Sequence, residues 1–386
     1  MVEQTRPPET APRPAAARPR LAFIDNIRVL LTVMVVLHHV AVTYGNIGLW
    51  FYAEPAADPS GTALDGLVVF NQAFFMGFFF LISGYFVPRS FDRKGPRAFL
   101  RDRAVRLGIP LLAFLVLLRP LLTTDTYRAL LAEGREMPYW FFYLVSWDPG
   151  PLWFVEVLLV FSLGYALLRR IRTRRTGTPA TPPPAARGTA GPGPLAVVGF
   201  VAALTLATYL WRIVNPAPYW PVVGLPSPQF LPQYAALFTV GVLAARRGWT
   251  GRVPRAAGWT GSAVAAASAA AVLPFMAQLS AGAPGSWQSL ALAAWENTFA
   301  AGAILALLAL FSARFDRQGR LSRFLSDNAF AVYVLHALVL VALGHALSGW
   351  QAVAVAKFAV AGLLAVPLCW GLAALVRTVP AARRVL

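Results

Sequence analysis

A histidine and an arginine in the first apolar run of the chain have the spacing needed to work together. The run, IDNIRVLLTVMVVLHHV at 24–40, carries Arg28 near its start and His39 near its end. Eleven residues of α-helix turn through about 1100°, so Arg28 and His39 share one face and lie about 16 Å apart along the axis. A histidine there can act as a general base, and an arginine can bind an anionic group. His38 points about 100° away and is not required to share this role.

Two charged residues are predicted to lie near the depth of His39. The segment GPLWFVEVLLVF places Glu156 about 7–8 Å below the outer edge of the membrane, which is about the depth of His39. A carboxylate beside an imidazole fixes its tautomer and raises its basicity. Alternatively, Glu156 forms a structural ion pair with Lys357, about 8–9 Å below the outer edge of the last span. Both pairings remain open at this stage.

A second polar group is predicted nearer the middle of the membrane. SDNAFAVYVLHALVL carries Tyr333 and His336 three residues apart, and AAWENTF carries Glu296 at a similar depth. Buried polar side chains usually satisfy one another by hydrogen bonds, so packing is one interpretation of this group. Substrate binding by Tyr333 and His336 is the other.

The inner end of the membrane carries a basic cluster. In RAFLRDRAVRLGIP, Arg103 and Arg106 are three residues apart, so on an α-helix they share a face. With Arg28 they are candidates for binding a phosphate or pyrophosphate. The alternative is that these bases, Arg28 included, extend to the inner lipid headgroups. Ser83, next to Gly84, permits either close helix packing or backbone contact with a ligand.

These residues belong to a chain too apolar to be soluble. Of its 386 residues, 58% are hydrophobic and 13% charged, whereas soluble proteins carry about 25% charged residues. The predicted fold class is all-α, a polytopic membrane protein of about ten transmembrane helices. The predicted spans are 22–44, 66–88, 105–123, 151–168, 195–214, 229–246, 258–280, 287–312, 325–347 and 352–376.

The distribution of basic residues orients these spans. With the N-terminus inside, the inner segments hold 28 of the 34 Lys and Arg residues and the outer loops hold four. This asymmetry follows the positive-inside rule and predicts that both termini are cytoplasmic. It also explains the net charge of +18 without a nucleic-acid partner; the partner indicated is the lipid bilayer.

The regions outside the spans are predicted from composition. Residues 1–20 are expected to be a disordered cytoplasmic tail, without the features of a signal peptide. The membrane domain covers 21–377, and within it 169–194, basic and then rich in Pro and Gly, is expected to be a flexible cytoplasmic linker. Residues 378–386 form a second cytoplasmic tail. The short apolar stretch at 137–147 is expected to be interfacial or re-entrant.

The chain resembles the integral-membrane acyltransferases of acyltransferase family 3 over nearly all of 21–377. The resemblance rests first on Arg28, which follows IDN and Ile27, and on His39, with ten residues between the two. It is supported by FFFLISGYFVPRS, RAVR at 103–106, GPLWFVEVLL and SDNAFAVYVLH, in that order. The IDN opening and the acidic GPLWFVE segment are most similar to the branch that contains the glucan-biosynthesis succinyltransferases.

This resemblance implies an activity and a set of site residues. Such enzymes transfer acetyl, succinyl or related groups from cytoplasmic acyl-CoA, here acetyl-CoA or succinyl-CoA, to a hydroxyl of an extracytoplasmic carbohydrate. No permanently bound cofactor is implied, and the location implied is the cytoplasmic membrane of a bacterium. Arg28, His39 and Glu156 would be catalytic. The substrate-binding candidates are Ser83, Arg103, Arg106, Trp153, Tyr333 and His336, and no metal site is expected.

Two questions stay open at the level of sequence. His39 could deprotonate the acceptor hydroxyl for direct transfer, or it could carry the acyl group as a covalent intermediate. A transporter of an acylated sugar, a glycolipid or a small anion is the rival class, because intramembrane charges also mark transport pathways.

Overall fold

The computed structural model describes residues 21–48, 50–176, 191–216, 219–220, 225–226, 228–249 and 253–386. Their helices, in chain order, are α1 Ala22–Tyr44, α2 Gly61–Gln72, α3 Phe75–Lys94, α4 Pro96–Leu122, α5 Thr124–Ala132, α6 Tyr139–Val145, α7 Trp153–Thr176, α8 Pro194–Val214, α9 Leu231–Arg247, α10 Arg255–Ser280, α11 Trp287–Arg314, α12 Arg320–Leu347, α13 Ala354–Val376 and α14 Pro380–Val385. Two antiparallel strands of two residues each, β1 Tyr219–Trp220 and β2 Leu225–Pro226, lie between α8 and α9.

The predicted all-α, polytopic class is confirmed. In the described part of the chain, nine helical stretches are long and apolar enough to cross a membrane, with α2–α3 and α6–α7 each counted as one stretch. The remaining predicted span corresponds to α9, whose 17 residues would extend about 25 Å at 1.5 Å per residue. α9 runs parallel to α3. Near its start, Gln233 donates a hydrogen bond to the Ala73 carbonyl just before α3, and near its end Arg246 binds Asp92 in the last turn of α3.

Glycines bring α3 and α9 into close contact. A Cβ atom added to Gly84 would lie 2.1 Å from the carbonyl oxygen of Phe238, and one added to Gly241 would lie 2.1 Å from that of Leu81. Only glycine permits this approach of two backbones. Of the two interpretations of the Ser83–Gly84 pair, the structure therefore shows close helix packing at Gly84.

The second predicted span is broken, which the hydrophobic pattern does not show. α2 ends at Gln72 and α3 begins at Phe75, so the chain leaves the helix at residues 73–74. The carbonyl of Ala73 accepts a hydrogen bond from Gln233 Nε2 of α9 at 2.9 Å. Gln72 Nε2 donates to the Tyr234 hydroxyl at 3.0 Å. Side chains of α9 thus supply bonds at an interruption that would be unfavourable in lipid.

Other boundaries also differ from the predictions. α7 continues as helix to Thr176, so the predicted linker 169–194 is wrong over its first eight residues; residues 177–190 lie outside the described part of the chain, as do 1–20. The stretch 137–147 contains the seven-residue helix α6. The predicted tail 378–386 contains α14.

The first helix is the centre of the bundle. α1 packs against α2, α3, α11, α12 and α13. Its buried residues, among them Ile27, Leu31 and Val36 with no exposed surface, lie on several sides of the helix. A helix that is apolar on all sides and buried has no lipid-facing stripe. The polar side chains of α1 therefore face other protein elements.

Candidate active site

The inner half of the site is built on the first two turns of α1. Arg28 Nη1 lies 3.3 Å from Asp25 Oδ1, and the Arg28 side chain remains 37% exposed. Thr32 donates its hydroxyl to the Arg28 carbonyl at 2.8 Å, since a threonine on a helix can bond to the preceding turn. Asn26 Nδ2 donates to the carbonyl of Phe315 at 2.7 Å, which ties the IDN segment to the loop before α12. Arg28 is therefore held near the N-terminal end of α1 with its guanidinium accessible.

Nearer the other end of α1, on the face that also carries Arg28, the ring of His39 contacts two rings from other parts of the chain. Trp50, from the loop after α1, stacks on His39 with centroids 3.8 Å apart and 15° between the planes. His336 of α12 lies 5.1 Å from His39 at 22°, and 5.9 Å from Trp50. The triangle is close to right-angled at His39, so Trp50 covers a face of the imidazole and His336 lies beside it. Two imidazoles side by side can contact the same bound group.

The hydrogen bonds of His336 determine which nitrogen is available. Nδ1 lies 2.7 Å from the carbonyl oxygen of Tyr333. A carbonyl can only accept, so Nδ1 carries the proton and Nε2 keeps a lone pair. The Tyr333 hydroxyl donates to the Pro151 carbonyl, which fixes α12 against the start of α7. His336 has no exposed surface, and its Nε2 is an acceptor with a defined tautomer.

Three buried polar atoms of this group have no hydrogen-bond partner among the described residues. They are Nδ1 of His39, Nε2 of His336 and Nε1 of Trp50. Buried polar atoms are usually paired, so three unpaired atoms on contacting rings mark a place where a ligand completes the bonding. We define these three residues as the His39 site.

The adjacent His38 faces a different part of the molecule. Its ring stacks on Phe75 at 5.1 Å, and its Nδ1 lies 3.5 Å from Nδ2 of Asn71. Asn71 also donates to the carbonyl of Met34 at 3.2 Å. His38 thus packs against the break between α2 and α3, in agreement with the predicted difference in direction from His39.

The outer loop, residues 50–60, holds Trp50 over His39. The amide of Glu54 donates to the Thr43 carbonyl at 2.8 Å, and its carboxylate forms an ion pair with Lys357 of α13. The ring of Tyr52 lies against Gly344, where an added Cβ would come within 2.5 Å of it. Burial and the Glu54 carboxylate raise the pKa of Tyr52, so its hydroxyl stays protonated at neutral pH. These contacts hold the outer loop, and with it Trp50, against α1, α12 and α13.

A carboxylate at the far end of the outer loop adds another attachment. Asp58 accepts hydrogen bonds from the backbone N–H of Ala354, the first residue of α13, at 2.8 Å and from that of Ser60 at 2.9 Å. Bonds from the Ser60 hydroxyl and these amides lower the pKa of Asp58 below its usual value of 3.8. The carboxylate is thus charged where the positive end of α13 favours it.

Glu156 does not occupy the predicted place beside His39. It is half-buried and makes no hydrogen bond or ion pair among the described residues; its acidic neighbour is Asp148. The alternative pairing with Lys357 is also wrong, because Lys357 binds Glu54. Depth counting placed Glu156 and Lys357 at a suitable level but could not give the direction in which each side chain points.

Two further candidates pack elsewhere. Trp153 is buried and stacks on Tyr234 at 5.4 Å, within an aromatic core away from the His39 site. Glu296 pairs with Arg212 of α8, both of them buried. The predicted grouping of Glu296 with Tyr333 and His336 is therefore wrong, whereas Tyr333 and His336 do meet.

The basic residues of α4 make different contacts. Arg106 binds Asp102 at 3.2 Å and is 64% exposed, whereas Arg103 lies over the ring of Phe99 at 5.2 Å. A π-helical segment, Ala104–Gly108, begins between these two arginines. No hydrogen bond or ion pair joins either residue to Arg28 in the described part of the chain. Their shared role in anion binding stays a prediction.

No group of three or more His, Cys, Asp and Glu residues with metal-binding geometry occurs in the ranges described. Sequence reasoning missed Trp50 and Asn71. Trp50 lies in a run of three aromatic residues, WFY, in an acidic outer loop, and Asn71 interrupts an apolar segment; both signals were available.

The described residues form a multi-pass helical bundle in which His39 and His336 are in contact, and Arg28 lies in the N-terminal part of the helix that carries His39. The chain belongs to acyltransferase family 3: the family model, described as an acyltransferase domain, matches residues 21–374. This assignment favours an enzyme over a transporter.

Similar curated proteins agree with the branch indicated by the motifs. Proteins named Glucans biosynthesis protein C from Salmonella heidelberg (strain SL476), Salmonella agona (strain SL483) and Salmonella gallinarum are 30% identical to this chain over 155 residues. The match covers 37% of this chain and 38% of each relative. No solved structure matches the chain.

Proposed function

We propose that this protein transfers an acyl group from cytoplasmic acyl-CoA to a hydroxyl of an extracytoplasmic carbohydrate, in the cytoplasmic membrane of a bacterium. The observation that carries the proposal is the His39 site, in which an imidazole, a second imidazole with a free lone pair and an indole N–H meet without partners. The name of the relatives supports a glucan as the acceptor, and acetyl-CoA or succinyl-CoA is the proposed donor.

The donor is proposed to bind from the inside. Its phosphates lie toward Arg28, which is accessible and paired with a single nearby carboxylate, with Arg103 and Arg106 as additional cations. A guanidinium suits phosphate because it donates two parallel hydrogen bonds. From Arg28 to His39 the axial distance is about 16 Å, a length that an extended pantetheine arm can cover to place its thioester at the His39 site.

The chemistry at the His39 site follows from the tautomers. His39 removes the proton of the acceptor hydroxyl, and the alkoxide oxygen attacks the thioester carbonyl carbon. Collapse of the tetrahedral intermediate expels the thiolate of CoA, which takes the proton from His39. Nδ1 of His39 and Nε2 of His336 are not hydrogen-bonded to each other in the structure. We propose that they pair when the substrates bind, so that the Nε2 lone pair of His336 accepts from Nδ1–H of His39 and takes the orienting role predicted for Glu156. The proposed base is therefore Nε2 of His39.

The test uses protein purified into nanodiscs. Binding and thiol release are measured with radiolabelled acetyl-CoA and succinyl-CoA, with a glucan oligosaccharide as acceptor, for wild type and for Arg28→Ala, His39→Ala and His38→Ala. We expect Arg28→Ala to weaken donor binding, His39→Ala to bind donor without transfer, and the matched control His38→Ala to retain transfer. Failure of the wild type to bind either donor would contradict the proposal. Acid-quenched single turnovers distinguish direct transfer from an acyl-histidine intermediate.

A further inference from the structure

The unpartnered atoms of the His39 site form a complementary set. His336 Nε2 is an acceptor, as its bond to Tyr333 requires, and an indole Nε1 is a donor only. Nε1 of Trp50 is buried with no acceptor in the described part of the chain. A buried donor without an acceptor is unfavourable, so a ligand acceptor at this position would supply the hydrogen bond that the described residues do not.

The outer loop holds this indole in place beside the base. Trp50 stacks on His39 at 3.8 Å, and four residues later Glu54 is bound to both Thr43 and Lys357. Nε1 of Trp50 is thus a buried donor without a partner among the described residues, on a ring that contacts the proposed base.

We propose that Trp50 is a further catalytic residue, whose Nε1–H donates a hydrogen bond to the thioester carbonyl oxygen of the donor during transfer. This inference rests on the proposed function. When the alkoxide forms its bond to the carbonyl carbon, the π electron pair moves to the carbonyl oxygen and gives it a negative charge. The indole N–H stabilises this charge. Collapse then restores the C=O bond and breaks the C–S bond.

A preorganised donor of this kind acts on the transition state more than on the bound substrate. Removing one such donor from an enzyme that forms an oxyanion lowers kcat by about 100- to 1000-fold. The value of KM should change little, because the ground-state carbonyl oxygen carries less charge. A tryptophan that served only as a stacking surface for the acceptor would change KM instead.

The experiment compares three changes in nanodisc-embedded protein. Trp50→Phe removes the N–H and keeps an aromatic ring, and replacement of Trp50 by β-(3-benzothienyl)alanine exchanges the N–H for sulfur with the bicyclic shape retained. Trp147→Phe is the matched control, since Trp147 is 41% exposed and lies outside the site. Equilibrium binding of radiolabelled donor verifies that each variant is folded.

We expect both changes at Trp50 to lower kcat by about 100-fold or more, with donor binding intact and Trp147→Phe at the wild-type rate. If the benzothienyl protein transfers at the wild-type rate, the assignment of Trp50 is overturned and the proposed function stands. If it raises the KM for the acceptor without a change in kcat, the indole is a binding surface and the assignment is again overturned. If the wild type transfers nothing, the proposed function fails and this proposal fails with it.

Discussion

Substitution of Gly241 by alanine tests the packing that connects α9 to α3. The new Cβ would lie 2.1 Å from the Leu81 carbonyl oxygen and 2.8 Å from the backbone nitrogen of Tyr85. Both atoms are backbone, so no side-chain rotation relieves the contact, and the helices must separate by about 1 Å to restore ordinary van der Waals distances. Overpacking of this kind is unfavourable by about 1–3 kcal/mol.

The measurement is the free energy of unfolding in mixed micelles. Gly164→Ala is the matched control, because a Cβ there meets nothing within 4 Å; on helix propensity alone it should be neutral or stabilising. Gly84→Ala produces the same clash from the other helix, so Gly84→Ala combined with Gly241→Ala should be less than additive, as one separation relieves both contacts. A Gly241→Ala protein as stable as Gly164→Ala would refute the close approach.

Three other predictions concern the charged pairs and the outer loop. Lys357→Met leaves Glu54 without its cation, so we expect faster hydrogen exchange in the outer loop. Adding Glu54→Gln should partly reverse this effect. Unchanged exchange in Lys357→Met would mean that the ion pair does not hold the loop. Glu296→Gln leaves Arg212 as a buried charge without a counterion, and it should lower the free energy of unfolding in mixed micelles by about 3 kcal/mol. A loss below about 1 kcal/mol, which is the range of exposed ion pairs, would count against a buried pair. Because the pKa of Asp58 is lowered, its carboxylate stabilises the folded loop above pH 4 and loses this effect as the pH falls through the folded-state pKa. Hydrogen exchange in the outer loop should therefore differ between wild type and Asp58→Asn at pH 6 and become the same in acid. Equal exchange in the two proteins at both pH values would contradict the assigned bonds.

The features predicted correctly from sequence are those that depend on local composition. Apolar length identifies the spans, and the eleven-residue interval places Arg28 and His39 on one face because both belong to a single uninterrupted helix. The direction of His38 follows from the same geometry. No information about the rest of the chain is needed for these inferences.

The partners of His39 could not be obtained in this way. Depth counting assumes that each helix ends at the membrane edge, yet the last turn of α12 extends into the layer of the outer loop, where Gly344 meets Tyr52. His336 therefore reaches the level of His39 although it is farther from the end of its helix. Trp50 enters the site only because the outer loop folds back, through contacts such as Glu54 with Lys357 that are 303 residues apart.

Breaks within a helix were equally hidden. The interruption at 73–74 lies within one predicted span, and a bond that supports it comes from Gln233 on α9. The π-helical segment that begins at Ala104 was likewise not predicted. Hydrophobic periodicity reports the average environment of a segment, and such local departures depend on what packs against it.

The central claim is that His39 is the base of an acyl transfer. It is tested most directly by the rate of the first turnover at saturating acyl-CoA in His39→Gln, with His38→Gln as the matched control. A glutamine keeps polarity but cannot accept the proton, so we expect a loss of about 100-fold or more in His39→Gln, with donor affinity unchanged and His38→Gln close to wild type. A His39→Gln protein that transfers at the wild-type rate would contradict the account.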